Sequence, residues 1–284
     1  MARAIDDLPA PKDVRPTKII VLSRSRVGTT SLSTALGILG YETFHSKQVF
    51  ATDSSTNMSL FEEAVRNKYL QGSGKPYGKE EFDKWFAKYD AIMTVPQYFF
   101  DEFLEFYPDA KFIITDRDAD SWIKSVKNTI CELLKTTKSF LNFLKMTNPW
   151  LGAFCSLNST LEEVIFHGKG SVAGVEDAKS DFILRLLIKD LQAADFDFRQ
   201  EQIRALSGKP NVAIFRLEDG FSWEKLCPLL GHEMPDVPYP NSYNQDHFHK
   251  RWANVLRPKM WSATATLTGL MLIPLLSVWA LYFA

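Results

Sequence analysis

Apolar residues along this chain fall into short runs separated by longer amphipathic stretches. Lys18-Ile-Ile-Val-Leu22, Glu42-Thr-Phe-His45, Asp90-Ala-Ile-Met-Thr-Val95, Lys111-Phe-Ile-Ile-Thr115 and Asn211-Val-Ala-Ile-Phe215 each have the length and β-branched or aromatic character of a strand. Between them, helical spacing covers Thr30–Leu39, Leu60–Leu70, Glu80–Tyr89, Gln97–Tyr107, a long segment from Ala119 towards Lys145, roughly 175–206, and Trp223–Leu230. Gly40 closes the first helix and Pro108 stops the fourth. Residues 146–172 show no clear period and read as irregular. Short apolar strands alternating with helices predict an α/β fold, a parallel sheet with helices on both faces. Ligands of such sheets bind at the carboxyl ends of the strands. The loops after Leu22, Phe44 and Thr115 are therefore the ones to search.

The two ends of the chain differ in character. Residues 1–17 are charged and proline-punctuated, without an apolar run, and read as a flexible leader rather than a secretory signal. From Ala263 to Ala284 no residue is charged, about the length a helix needs to cross the hydrocarbon core. Trp261, Trp279 and Tyr282 lie near its ends, and Lys250, Arg251, Arg257 and Lys259 precede it. This pattern predicts a domain over 18–257 and a C-terminal transmembrane anchor over 258–284. The bilayer would be its partner and the domain would lie in the cytosol, at the endoplasmic reticulum. The competing reading of the segment is a buried core helix.

Composition narrows the chemistry. The 284 residues suffice for one large domain, and a net charge of −1 provides no global field for nucleic acid, so anion binding must come from a local cluster. Cys131, Cys155 and Cys227 have neither disulfide-framework nor zinc-site spacing.

The local cluster follows the first strand, in Ser23-Arg-Ser-Arg-Val-Gly-Thr-Thr-Ser-Leu32. A strand, a short glycine-containing loop and a helix opening with hydroxyl residues form the geometry that cradles phosphate through backbone N–H groups and the positive helix end. Arg24 and Arg26 add charge; Thr29, Thr30 and Ser31 add hydroxyl donors. Aligned on Gly28 with the nucleotide-triphosphatase loop G-x-x-x-x-G-K-S/T, the lysine position holds Thr29, and positive charge has moved upstream to Arg26. An ordinary strand-to-helix turn is the alternative.

Arg26-Val27-Gly28-Thr29-Thr30 resembles the 5′-phosphosulfate loop of sulfotransferases that use 3′-phosphoadenosine 5′-phosphosulfate (PAPS), with Ser25 in place of the usual proline and Val27 in place of Ser/Thr. That family holds the donor's 3′-phosphate with an arginine just after a strand and a serine further along the next helix. Arg117 and Ser125 have that spacing here. The stretch from Phe99-Phe100 through Tyr107-Pro-Asp-Ala-Lys-Phe-Ile-Ile to Ser121-Trp122 is similar to the branch common in fungi and marine invertebrates. So are Trp223-Glu-Lys-Leu-Cys-Pro-Leu-Leu-Gly231 and Pro235-Asp-Val-Pro-Tyr-Pro240. Relatives often carry Asp near the position of Thr94.

The resemblance implies a phosphate-loop α/β fold and transfer of a sulfuryl group from PAPS to a hydroxyl of a small acceptor. Arg24, Ser25, Arg26, Val27, Gly28, Thr29, Thr30, Ser31, Arg117 and Ser125 would hold the donor, with no metal required. Arg26 would also stabilise charge in the transfer, and His45 would be the base, with His167, Asp90 and Glu42 in reserve. The aromatic content points to an apolar alcohol, whose sulfation could also drive elimination or cyclisation. Two other readings stand beside this one: an ATP-dependent kinase, favoured by Asp116 but opposed by Thr29, and a membrane-tethered binding module without turnover.

Overall fold

Ile19, Val21 and Ile113 face one side of a central sheet and Ile20, Phe112 and Ile114 the other, as the two-residue period of a strand requires. The structure is a computed structural model that describes residues 3–70, 74–166, 206, 210–241 and 245–283. Among these residues, β1 (Ile19–Val21), β2 (Thr43–Phe44), β3 (Ala91–Ile92), β4 (Lys111–Asp116) and β5 (Val212–Arg216) form one sheet in the order β2-β3-β1-β4-β5. Every pairing is parallel, with Ile19 opposite both Ala91 and Lys111 and Thr115 opposite Phe215. From β1 the chain moves to the β2 and β3 side, then crosses to β4 on the other. This leaves a crevice at the carboxyl end of β1, the switch point where such sheets bind ligands.

Helices cover both faces. On one, α1 (Thr29–Ile38) contributes Leu32, Ala35 and Leu36, and α9 (Trp223–Leu230) contributes Trp223, Leu226 and Cys227. On the other lie α3 (Thr56–Tyr69), α4 (Lys79–Phe86), α5 (Phe100–Phe106), α8 (Pro149–Phe166) and α10 (Gln245–Phe283). That core is aromatic: Phe44 meets Trp85, Phe86 and Tyr89 edge-on at centroid distances of 5.7, 4.9 and 5.2 Å. The short α2 (Ser46–Val49) follows β2. The long helix expected from Ala119 is a rod in three parts, α6 (Ala119–Val126), a π turn (Lys127–Cys131) and α7 (Glu132–Leu144).

Several expectations change. Residues 146–172, read as irregular, contain α8. Pro149 suits the first helical position, and the Asn148 side chain accepts from the Leu151 N–H at 3.1 Å. Trp150, Leu151, Phe154 and Leu157 form its buried stripe. Where the sequence suggests a loose leader, Ile5 is only 1% exposed, and the Ala4 and Ile5 N–H groups donate to the Glu63 carboxylate. The helix expected over 175–206 lies, except for Leu206, outside the described residues.

The C-terminal segment requires the largest correction. Among the described residues no helix is long and apolar enough to cross a membrane, which overturns the expected single-pass anchor. The first part of α10 lies on the domain, with Phe248, Trp252, Leu256 and Ala263 in the core. The Thr147 hydroxyl donates to the Ala263 carbonyl at 3.2 Å. Thr264, Thr266 and Thr268 follow in alternation, their hydroxyls bonded to carbonyls four residues back.

Candidate functional site

At the end of β1 the Leu22 N–H still bonds to the Ile113 carbonyl at 2.9 Å; beyond it the chain leaves the sheet. Arg26 and Gly28 then adopt left-handed conformations, with φ of 73° and 85°. A left-handed non-glycine is uncommon, and left-handed residues amid right-handed neighbours turn successive N–H groups towards one side, forming an anion-binding hollow. The first rung of α1 joins the Leu32 N–H to the Gly28 carbonyl at 3.2 Å. The N–H groups from Gly28 to Ser31 therefore precede the helical ladder and require other acceptors. No acidic residue lies in the first turn of α1, and no side chain caps it, so its positive end is uncompensated. Val27 and Thr29 are buried, Ser25 is exposed, and Arg24, Thr30 and Ser31 lie between these extremes. Glycine is demanded at 28 twice over. A Cβ there would lie 2.3 Å from Cε2 of Phe221, and φ is unfavourable to any other residue.

The second predicted anchor meets this loop. Asp118 caps α6 by accepting from the Ser121 N–H at 2.9 Å, which orients the helix so that Ser125, two turns along, faces the loop. Arg26 Nε donates to Ser125 Oγ at 3.1 Å, and Arg117 Nη1 donates to the Arg26 carbonyl at 3.0 Å. Trp122, not among the predicted site residues, donates from its indole to the Ser25 carbonyl at 3.0 Å, and Arg24 lies 5.5 Å from its ring centroid. Its only signal in the sequence was its place in the stretch after Arg117. Immediately beyond Ser125 comes the π turn, where the Thr129 hydroxyl donates to the Ser125 carbonyl. Single π turns of this kind often mark functional sites.

His45 reaches the same loop from β2. Its ring is 3% exposed, with Nε2 3.1 Å from Thr29 Oγ1 and Nδ1 3.2 Å from Ser46 Oγ. Burial, with smaller contributions from Arg251 and Lys47, lowers its pKa to about 3 and keeps the imidazole neutral. The reserve bases do not gather here. Asp90 and Glu42 sit at the amino ends of β3 and β2, the opposite end of the strands, where the Asp90 carboxylate accepts from the Glu42 N–H at 2.8 Å and pairs with Arg15 at 3.2 Å. His167 lies outside the described residues. Thr94 is itself left-handed with φ of 78°. Phe248 of α10, whose ring centroid lies 5.1 Å from the Arg26 guanidinium, and Arg251, whose charge adds to the lowering of the His45 pKa, carry no local signal because they lie more than 200 residues along the chain from the loop. His249 of the same turn approaches the Asn128 carbonyl at 2.9 Å.

The loop, the helix end, Arg26 and Arg117 thus meet at one place, with Ser125 between loop and helix. Among the described residues no group of three or more His, Cys, Asp or Glu side chains is placed to hold a metal ion. A family model described as Sulfotransferase domain matches residues 18–248. The chain is also similar to "Ava biosynthesis cluster protein M" from Aspergillus versicolor, 27% identical over 250 residues, which cover 84% of this chain and 89% of that protein.

Proposed function

Because the chain belongs to the sulfotransferase-domain family, we propose that it transfers a sulfuryl group from PAPS to a hydroxyl of a small acceptor. The observation that carries this reading is the convergence of Arg117 and Ser125 on Arg26, which brings two cationic elements far apart in sequence to one phosphate-type loop. The left-handed turn and the open N-terminal N–H groups fit a 5′-phosphosulfate; the guanidinium of Arg117 with the Ser125 hydroxyl fits a 3′-phosphate. The bound donor supplies an electrophilic sulfur and a phosphate leaving group. Arg26, with the backbone N–H groups of Gly28 and Thr29, stabilises charge on the bridging and leaving oxygens, while Thr30 holds the 5′-phosphate.

His45 is assigned the acceptor proton. A neutral imidazole keeps one unprotonated nitrogen, here in hydrogen-bond contact with the Thr29 or Ser46 hydroxyl, and an anion seated on the adjacent loop raises its basicity by favouring the imidazolium. The relative's place in a biosynthesis cluster supports a small-molecule acceptor in secondary metabolism, and the aromatic richness of the chain favours an apolar alcohol.

Calorimetric titration of the full chain with 3′,5′-adenosine bisphosphate tests the donor site. The expected result is metal-independent binding, weakened roughly 10- to 100-fold in Arg117→Ala and in Arg26→Ala, the range for loss of a charge-assisted hydrogen bond. A preference for ADP with Mg²⁺, or no binding of either nucleotide, would refute the assignment.

A further inference from the structure

The family match stops at residue 248, within the first turns of α10, and these turns touch the phosphate-type loop through Phe248. Phe248 is buried, and the Arg26 guanidinium lies 5.1 Å from its ring centroid. Trp252 is buried against Phe50, the residue that ends α2, at a centroid distance of 5.1 Å. His249 meets the Asn128 carbonyl at 2.9 Å. Three contacts thus tie residues 248–252 to the loop, to the segment that carries His45 and to the π turn after Ser125.

Arg251 sits within this pinned turn. On a helix, positions three apart share a face, so Arg251 accompanies Phe248 rather than pointing away from the site. It is half-buried, and among the described residues no carboxylate pairs with it. Its charge is felt at the buried His45 ring, whose Nε2 touches Thr29 at the opening of α1. Arg26 is turned towards Ser125, on the side of the second anchor. The His45 side of the loop therefore takes its nearby arginine charge from α10.

We propose that Arg251 is a catalytic residue of the transfer, binding the sulfuryl oxygens on the His45 side of the loop. Transfer forms a bond from the acceptor oxygen to sulfur and breaks the bond from sulfur to the phosphate oxygen. The electron pair leaves with 3′,5′-adenosine bisphosphate, and the acceptor proton goes to His45. Negative charge on the sulfuryl oxygens persists throughout, and a guanidinium beside them holds the group in line without competing for the proton. The inference rests on the PAPS reading above.

The test compares two nucleotides that differ only in the sulfuryl group. PAPS and 3′,5′-adenosine bisphosphate are titrated by calorimetry into the wild-type full chain, Arg251→Ala and Arg251→Lys. Arg251→Ala is expected to weaken PAPS binding roughly 10-fold or more while leaving bisphosphate affinity within about twofold, and Arg251→Lys to retain most of the PAPS affinity. Unchanged bisphosphate binding also reports an intact fold. An equal loss for both nucleotides, or no loss for PAPS, overturns the role of Arg251 while wild-type binding leaves the donor assignment standing. Failure of the wild type to bind either nucleotide instead removes the PAPS reading itself.

Discussion

Gly28→Ala separates two physical demands on one residue. The first is conformational. At φ of 85° an alanine Cβ crowds its own backbone, which costs about 1–2 kcal/mol. The second is steric. The added carbon would lie 2.3 Å from Cε2 of Phe221 and 3.0 Å from Cδ1 of Leu217. The Phe221 ring has limited room to retreat, with Phe215 at 5.9 Å and Tyr239 at 6.3 Å between centroids, so an overpacking cost of about 1–3 kcal/mol applies. Gly28→Ala is thus expected to destabilise the protein by about 2–5 kcal/mol. In a Phe221→Ala background the closer clash disappears, leaving the Leu217 contact, which the flexible side chain can relieve, and about 1–2 kcal/mol should remain. Urea denaturation followed by circular dichroism, on wild type, both single variants and the double variant, measures this coupling. A cost below about 0.5 kcal/mol in the wild-type background, or the same cost in both backgrounds, would refute the reasoning.

Acid should destabilise the fold through His45. Its native pKa is near 3 against an ordinary 6.5, so from about pH 6.5 down to 3 the unfolded chain binds a proton that the native state refuses. Stability contributed by this site is present above pH 6.5 and falls by about 1.4 kcal/mol per pH unit through that window. The slope between pH 7 and 5 in urea titrations should be shallower in His45→Asn, and equal slopes would exclude His45 as the cause. Trp122→Phe removes the bond to the Ser25 carbonyl and should cost about 0.5–1.5 kcal/mol by thermal denaturation, with bisphosphate affinity weakened several-fold as the loop loosens. Ile5→Ala should cost about 2–4 kcal/mol, as for a core isoleucine; a change within 0.5 kcal/mol in chemical denaturation would restore the picture of a loose leader.

How much of this protein is legible from its sequence depends on the range over which each feature is encoded. The five strands were readable because each is a local apolar run. Gly28 and the hydroxyl residues after it were readable because a phosphate hollow is built from consecutive backbone. The spacing of Arg117 and Ser125 survived for the same reason, since a strand end and two helical turns set it. Longer-range features were hidden. The period of α8 is obscured because its helix opens with proline and carries Gly152, Asn158 and several hydroxyl residues. The packing of the start of α10 on the domain, with Phe248, Trp252, Leu256 and Ala263 buried, joins it to residues far along the chain and left no local pattern.

The sequence alone thus determined the α/β class, the phosphate-type loop and the two candidate anion anchors, because short-range stereochemistry specifies each of them. Only the tertiary structure decided that Arg26 turns to Ser125, that His45 is buried against Thr29, and that Asp90 belongs to the far end of the strands. It alone placed the turn carrying Phe248 and Arg251 against the loop. Those relations join residues tens to hundreds of positions apart, and packing of helices on the two faces of the sheet, rather than any local pattern, brings them together.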